Sequence, residues 1–471
     1  MAASSGSQNG MAILSGKKKV CIKQFIYIFV SVLLVVMVIK VYDSGIRLDE
    51  QSTRLDQSIK IRTNATGESK HRITVLKKTK VLLMTYMRGG SSLLGEMINQ
   101  NPKAVYWFEP FDGVFSELYG SRHGWFPIDL LYTDNEHLRL FTDYEEDALN
   151  NLLTNLISCN ITALPTDTIA HYAMVNIIQK RFVPYVDCLK QVNSGKTISG
   201  KVVPPWQCKA NLTKYCPRRF STSDKRLTTC VYCLHAHPAS PYRDLNISLH
   251  RNGKDFVPDC EQTSAAYEAY ANCMRSYRKA IEGCTPLLEE VCGASGLVAI
   301  KAIRLRADLV QRMMLANPDL KVVHEIRDPR GIVLSRRSTG LLSETSRKNI
   351  THEASLLCQR IAYDLSIIRN IEAEFPGRIL RIKYEDLALQ PEQTTSAFYQ
   401  FLDLDVPDEV VSYLTNSVSA EVQGNAYSTM RKNGTESVFK WQTKLTDDQI
   451  RAINEVCLDI LERYSYPIQV E

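Results

Sequence analysis

The sequence predicts an α/β fold: a P-loop-like parallel sheet flanked by helices, with a Cys-rich insertion at 150–295 and an N-terminal transmembrane helix at 20–42. Three observations predict it. Short apolar runs alternate with segments of helical apolar spacing, which argues for parallel strands covered on both faces. One run, opening at Val81, stops at Arg88-Gly89-Gly90-Ser91-Ser92, and a helical pattern starts at once. Nine of the thirteen cysteines fall between Cys188 and Cys292.

The N-terminus comes first. Lys17, Lys18, Lys19 and Lys23 precede an apolar run from Phe25 to Ile39, and residues 20–42 span a bilayer if Lys23 and Lys40 reach the interfaces. The preceding lysines place residues 1–19 in the cytosol and the remainder in a lumen. No small-residue cleavage site follows Ile39, so the run is read as an uncleaved anchor rather than a signal peptide. Residues 43–75 are polar and read as a stem, and 76–468 as the globular domain.

The first unit of that domain runs from about 79 to 101. A strand, a Gly-rich turn and a helix N-terminus together suit a phosphate or sulfate: glycines allow close backbone approach, and first-turn N–H groups point outward. Ser91 and Ser92 are read as helix caps and hydroxyl donors, and Arg88 as a forked cation. No lysine follows the glycines and no G-x-G-x-x-G occurs, which weakens ATPase and dinucleotide readings. After it comes Val105–Phe108, then Glu109 and Pro110.

The region 150–295 carries three of the six N-x-[ST] sequons (Asn160, Asn211 and Asn246; the others are Asn64, Asn349 and Asn433), and it reads as an insertion or a subdomain. Twelve cysteines lie beyond the anchor, and in an oxidising lumen they are read mostly as disulfides, with Cys358 and Cys457 pairing outside the cluster. Cys230, Cys233, His235 and His237 mimic zinc ligands, but the histidines stand too close for the usual spacing, so no metal is expected.

The later elements are a buried strand at 298–304, a helix at 306–316, a strand at 321–326, helical spacing from Cys358 to Arg369, a strand at 379–384 and an amphipathic helix at 446–464. The strand at 321–326 ends in Arg327; Asp328 suits an N-cap, Pro329 the first helical position, and Ser335 falls about two turns on. Arg327 and Ser335 are candidates to hold a second phosphate between them. Arg336 and Arg337 read as solvated helix charges, and His324 as a packed mid-strand residue that is also a weaker alternative to Glu109 as a base.

Together the two segments resemble the Golgi carbohydrate sulfotransferases, in particular the galactose, N-acetylgalactosamine and N-acetylglucosamine 6-O-sulfotransferase group, with a chondroitin 6-sulfotransferase-like cast. The resemblance rests on Arg88-Gly-Gly-Ser-Ser-Leu-Leu, Asn99-Gln-Asn-Pro102, Phe108-Glu109-Pro110, Arg327-Asp328-Pro329-Arg330 with Ser335-Arg336, Leu357-Cys358-Gln-Arg360, Tyr384-Glu385-Asp386-Leu387 and Trp441-Gln-Thr-Lys-Leu, and covers about 78–130 and 295–468. Gly89 stands where the family usually has serine.

The resemblance implies a 3′-phosphoadenylyl sulfate donor. Arg88 and the segment Gly89, Gly90, Ser91, Ser92, Leu93 and Leu94 would hold the 5′-phosphosulfate; Arg327 and Ser335 would hold the 3′-phosphate. Glu109 is the candidate base for the sugar hydroxyl, with Arg88 a second candidate catalytic residue. Arg304 and Arg306 stay open as contacts for an anionic acceptor or the sulfate. The implied partners are a glycan or proteoglycan acceptor and a membrane, with a homo-oligomer left open. A net charge of +6 is too mild for a nucleic-acid stripe, and 44% apolar content excludes global disorder. A glycosyltransferase using Asp403-Leu-Asp405, a kinase, and a non-catalytic glycan-binding protein are the rival readings.

Overall fold

The structure is a computed structural model. It describes residues 78–111, 143–170, 180–192, 260–338, 344–418 and 434–468, with a few isolated positions between them. The tail, anchor and stem, the Cys230–His237 stretch and the sequons at Asn64, Asn211, Asn246 and Asn433 lie outside the described residues. No helix among the described residues is long and apolar enough to cross a membrane.

Five strands make one sheet: β1 (Thr79–Met84), β2 (Ala104–Phe108), β3 (Leu297–Ala302), β4 (Leu320–Ile326) and β5 (Ile379–Lys383), in the order β2-β3-β1-β4-β5. All neighbours pair in parallel. Such strands are buried on both faces, which explains why they read as unbroken apolar runs. The helices are α1 (Ser91–Gln100), α2 (Asp143–Ile157), α3 (Val183–Val192), α4 (Glu261–Ile281), α5 (Thr285–Gly293), α6 (Ala307–Ala316), α7 (Pro329–Arg337), α8 (Ile350–Glu374), α9 (Tyr384–Leu389), α10 (Pro391–Phe401), α11 (Asp408–Val418), α12 (Gly434–Lys444) and α13 (Asp447–Arg463).

Side-chain alternation divides the sheet. Leu82, Met84, Val105, Trp107, Val298 and Ile300 face a core shared with α2, α3, α5, α6 and α8. Val81, Leu83, Tyr106, Ala299 and Val323 face α1, α10 and α11. Described helices of the Cys-rich region thus help to cover one face of the sheet, while Cys208, Ala266, Tyr267, Tyr270 and Met274 form a small cluster of their own at α4. Trp107, fully buried on β2, stacks against Phe182 with ring centroids 5.4 Å apart. Disulfides Cys159–Cys292 and Cys188–Cys284 tie this cover together, and Cys208–Cys273 lies beside α4.

A third core joins Ile332 and Val333 of α7 to α8 and α13. Its staple is Cys358–Cys457, the pair expected from the sequence. Replacing both cysteines by serine opens a loop spanning 99 positions and should cost about 2–5 kcal/mol, read as a lower denaturant midpoint.

Candidate functional site

Chain order reverses around β1: β3 and β4 flank it, and the chain crosses from one side to the other between them. In open α/β sheets such a switch point leaves a crevice beyond the carboxyl ends of the strands. The loop Thr85–Gly90 lies at that edge.

Two residues of the loop have left-handed backbone, Arg88 (φ 68°) and Gly90 (φ 105°). A Cβ on Gly90 would stand 2.1 Å from the Tyr384 ring, so this position has no room for a side chain. A Cβ on Gly89 would stand 2.8 Å from both Thr85 Oγ1 and the Tyr86 carbonyl, so the serine usual in the resembling family requires a shift here. The turn closes with Gly89 N–H donating to Tyr86 O at 2.7 Å.

Two of the loop carbonyls are engaged by arginine side chains. Arg336 Nε donates to Met87 O at 3.0 Å, and Arg327 donates to Arg88 O at 3.1 Å. Leu93 N–H donates to Gly90 O, and Leu94 packs in the core. The N–H groups of Gly90, Ser91 and Ser92 remain without a backbone partner among the described residues. Of the segment 89–94, these three are the groups open to an anion. Gly90 is itself the N-cap, with no side-chain cap, so Ser91 and Ser92 do not cap the helix as the sequence suggested.

The second segment arrives as expected. Asp328 caps α7 by accepting from Arg330 N at 2.9 Å, and Pro329 is its first residue. Arg88 Nε donates to Ser335 Oγ at 2.9 Å, so the two segments meet in one place. The Arg327 guanidinium lies over the Tyr384 ring, 4.3 Å from its centroid, and donates to Ser437 O.

Arg336 overturns its sequence reading. It is not solvated: its side chain is 3% exposed and pairs with the equally buried Glu353 at 2.7 Å. Arg337, partly buried, donates to Ser346 O. Arg306 is buried, pairs with Asp308 and lies over Tyr363, which turns it from the acceptor contact left open above into a packed cation. His324 is packed as expected. Its Nε2 lies 3.0 Å from Tyr86 Oη, and burial, with help from Arg381 and Arg360, pushes its pKa down to about 3.

Glu109 follows β2 with a left-handed φ of 49°. Lys301 Nζ lies 3.0 Å from one of its oxygens and Arg304 3.1 Å from the other. Burial opposes its charge, but these two cations outweigh burial and hold its carboxyl below its ordinary value. Glu325 on β4, on the same face as Lys301, has the opposite balance. It is fully buried, neither of its oxygens meets hydrogen-bond geometry, and burial pushes it up to about 8 against the pull of Lys301. Sequence reading missed Lys301 and Glu325. The available signal was a charged residue inside an otherwise apolar strand.

The folded-state pKa of Glu325 lies above its unfolded value, so the native state binds the extra proton between those values. Stability should therefore fall as pH rises from about 4.5 to about 8. Glu325→Gln should flatten that slope, measured as urea midpoints at both ends of the window.

The Asp403–Asp405 triplet stands elsewhere. Asp403 pairs with Lys321 at 2.6 Å, near the amino end of β4 and away from the loop. No group of three potential metal ligands occurs among the described residues.

Among the described residues, the carboxyl edge of the parallel sheet brings together backbone N–H groups without a backbone partner, two arginines and a serine, an arrangement chemically suited to an anion. A profile of the sulfotransferase family matches residues 240–408, which include β3, β4 and β5 but not the Arg88 loop. Mouse "Carbohydrate sulfotransferase 1" is 28% identical over 195 residues, covering 38% of this chain and 47% of that protein. Mouse "Carbohydrate sulfotransferase 7" is 23% identical over 441 residues, covering 83% and 75%. The chain thus spans about half the length of the first of these relatives. The sulfotransferase domain of the Synechococcus PCC 7002 olefin synthase aligns at 12% identity with a TM-score of 0.39, covering 86% of this chain and 100% of that one. Over these stretches the chain is similar to the carbohydrate sulfotransferases.

Proposed function

We propose that the protein transfers a sulfuryl group from 3′-phosphoadenylyl sulfate to a hydroxyl, in particular a 6-hydroxyl, of a galactose, N-acetylgalactosamine or N-acetylglucosamine residue in a glycan or proteoglycan. The observation that carries this reading is the 2.9 Å hydrogen bond from Arg88 to Ser335. It joins, across the whole sheet-forming chain, the two segments that sequence assigned to two phosphates of one donor.

The residues present suit such a donor. The N–H groups of Gly90, Ser91 and Ser92, with the positive end of α1, favour the phosphosulfate. Arg88 adds a forked donor for the phosphosulfate, and Arg327 and Ser335 supply forked and hydroxyl donors for a second phosphate. Glu109, ionised and at the same edge, is the group placed to accept the proton of the sugar hydroxyl. The protein's contribution is to fix both reactants and to offset charge on the departing oxygen.

The four described disulfides support an oxidising compartment. With the apolar run at 20–42, they support a Golgi membrane protein of type II orientation with its catalytic part in the lumen. The position of Asp403, paired with Lys321 away from the loop, argues against a metal-dependent glycosyltransferase.

The test is radiolabelled donor offered with the full-length chain to a panel of defined glycans, followed by disaccharide analysis of the product. Label on a 6-hydroxyl is expected; binding of glycans without label overturns the reading. Arg327→Ala should weaken donor binding tenfold or more while leaving acceptor affinity intact.

A further inference from the structure

The loop has no lysine of its own, yet a buried lysine stands beside it. Lys301, on β3, is aligned with Leu83 of β1 on one side and with Phe108 of β2 on the other. Its side chain lies on the face that carries α1, as the alternation with Leu297 and Ala299 shows. It is 3% exposed, 3.0 Å from Glu109 and 4.0 Å from the Phe108 ring centroid. Around it at the same level are Thr85, whose backbone N–H donates to Ala302 O, and Glu325. Gly89 packs directly on Thr85. A primary ammonium is thus buried under the anion loop, between the candidate base and a fully buried carboxyl. Burying a charge at a strand end is costly unless it is paired, and a lysine adds little to a sheet that an apolar residue would not supply better.

We propose that Lys301 is the catalytic cation of the transfer site, filling from a neighbouring strand the role that a loop lysine would fill. The inference rests on the sulfuryl-transfer reading above. In the resting protein Lys301 neutralises Glu109. With donor in place, Lys301 turns towards the sulfuryl group and the bridging oxygen, and Glu109, relieved of one cation, gains affinity for a proton when one must be taken. The sugar oxygen forms a bond to sulfur as the bond from sulfur to the bridging oxygen breaks. The electron pair stays on the departing phosphate, the hydroxyl proton goes to Glu109, and Lys301 gives up no proton. Arg304 remains on Glu109 throughout and keeps it oriented.

The test compares two nucleotides that differ only in the sulfuryl group: 3′-phosphoadenylyl sulfate and adenosine 3′,5′-bisphosphate. In full-length Lys301→Met, binding of the bisphosphate should stay within threefold of wild type, while single-turnover transfer falls at least a hundredfold. Lys301→Arg keeps the positive charge beside Glu109 but changes its geometry; it should bind the bisphosphate normally and transfer at least tenfold more slowly. The proposal is overturned if either variant transfers within threefold of wild type, or if bisphosphate binding falls in step with transfer, which marks a structural role. If wild type transfers sulfate to a glycan and Lys301→Met does too, the transfer reading survives and the Lys301 role does not. If wild type binds neither nucleotide, both fall together.

Discussion

Gly90→Ala should abolish donor binding by at least a hundredfold, roughly 3 kcal/mol. Two independent constraints act at this one position. Its φ of 105° lies where side chains are rarely tolerated, and the added Cβ would enter the Tyr384 ring at 2.1 Å. Neither has a cheap remedy. Rotating φ turns away the first-turn N–H groups, which are the only ones in the segment that the chain does not use itself. Moving Tyr384 removes the ring on which the Arg327 guanidinium rests. Isothermal titration with 3′-phosphoadenylyl sulfate checks the result, with a thermal melt to show that the variant is folded. A folded Gly90→Ala protein that binds donor within threefold of wild type would falsify this account of the loop.

Arg336→Ala should be the most destabilising single change near the site, by about 3–5 kcal/mol, because it strands a buried carboxylate at Glu353. It also releases the Met87 carbonyl that Arg336 holds at 3.0 Å. The two effects separate in a double variant. Arg336→Leu with Glu353→Leu removes both buried charges and should recover most of the stability, since a buried ion pair is often replaceable by apolar groups. It should not recover donor binding, because nothing then engages the Met87 carbonyl. Urea midpoints and donor affinity on both variants decide this. A double variant that regains both shows that Arg336 serves the fold alone.

How far the site was legible from the chain depends on the distance over which each residue finds its partner. The strand–turn–helix around Arg88 and the capped helix after Arg327 are local arrangements, written in the order of apolar residues, glycines, Asp328 and Pro329. The pairing of Cys358 with Cys457 followed from their standing outside the dense cysteine cluster. Arg336 was misread because its partners, Met87 and Glu353, come from a remote loop and a separate helix, and a surface helix with a basic last turn looks the same in sequence. Lys301 and Glu325 were passed over for a related reason. Inside an apolar strand a single charge reads as noise until neighbouring strands set it beside another. The Cys-rich region read as an insertion or a subdomain, yet several of its helices share with α6 and α8 the cover of one sheet face, something periodicity within each helix does not reveal.

The central position of β1 has a consequence for how this protein is made. Its hydrogen-bonding partners are β3 and β4, so Thr79 pairs with Leu297 and Lys80 with Leu320. During synthesis the central strand of the sheet emerges early and waits, both edges bare, while the long cysteine-bearing stretch follows. Non-local pairing of this kind folds slowly and leaves strand edges exposed to aggregation. A nascent chain arrested before β4 would hold the sequence of the Thr85–Gly90 loop without Arg327, Ser335 and Arg336, the side chains that meet it in the folded protein.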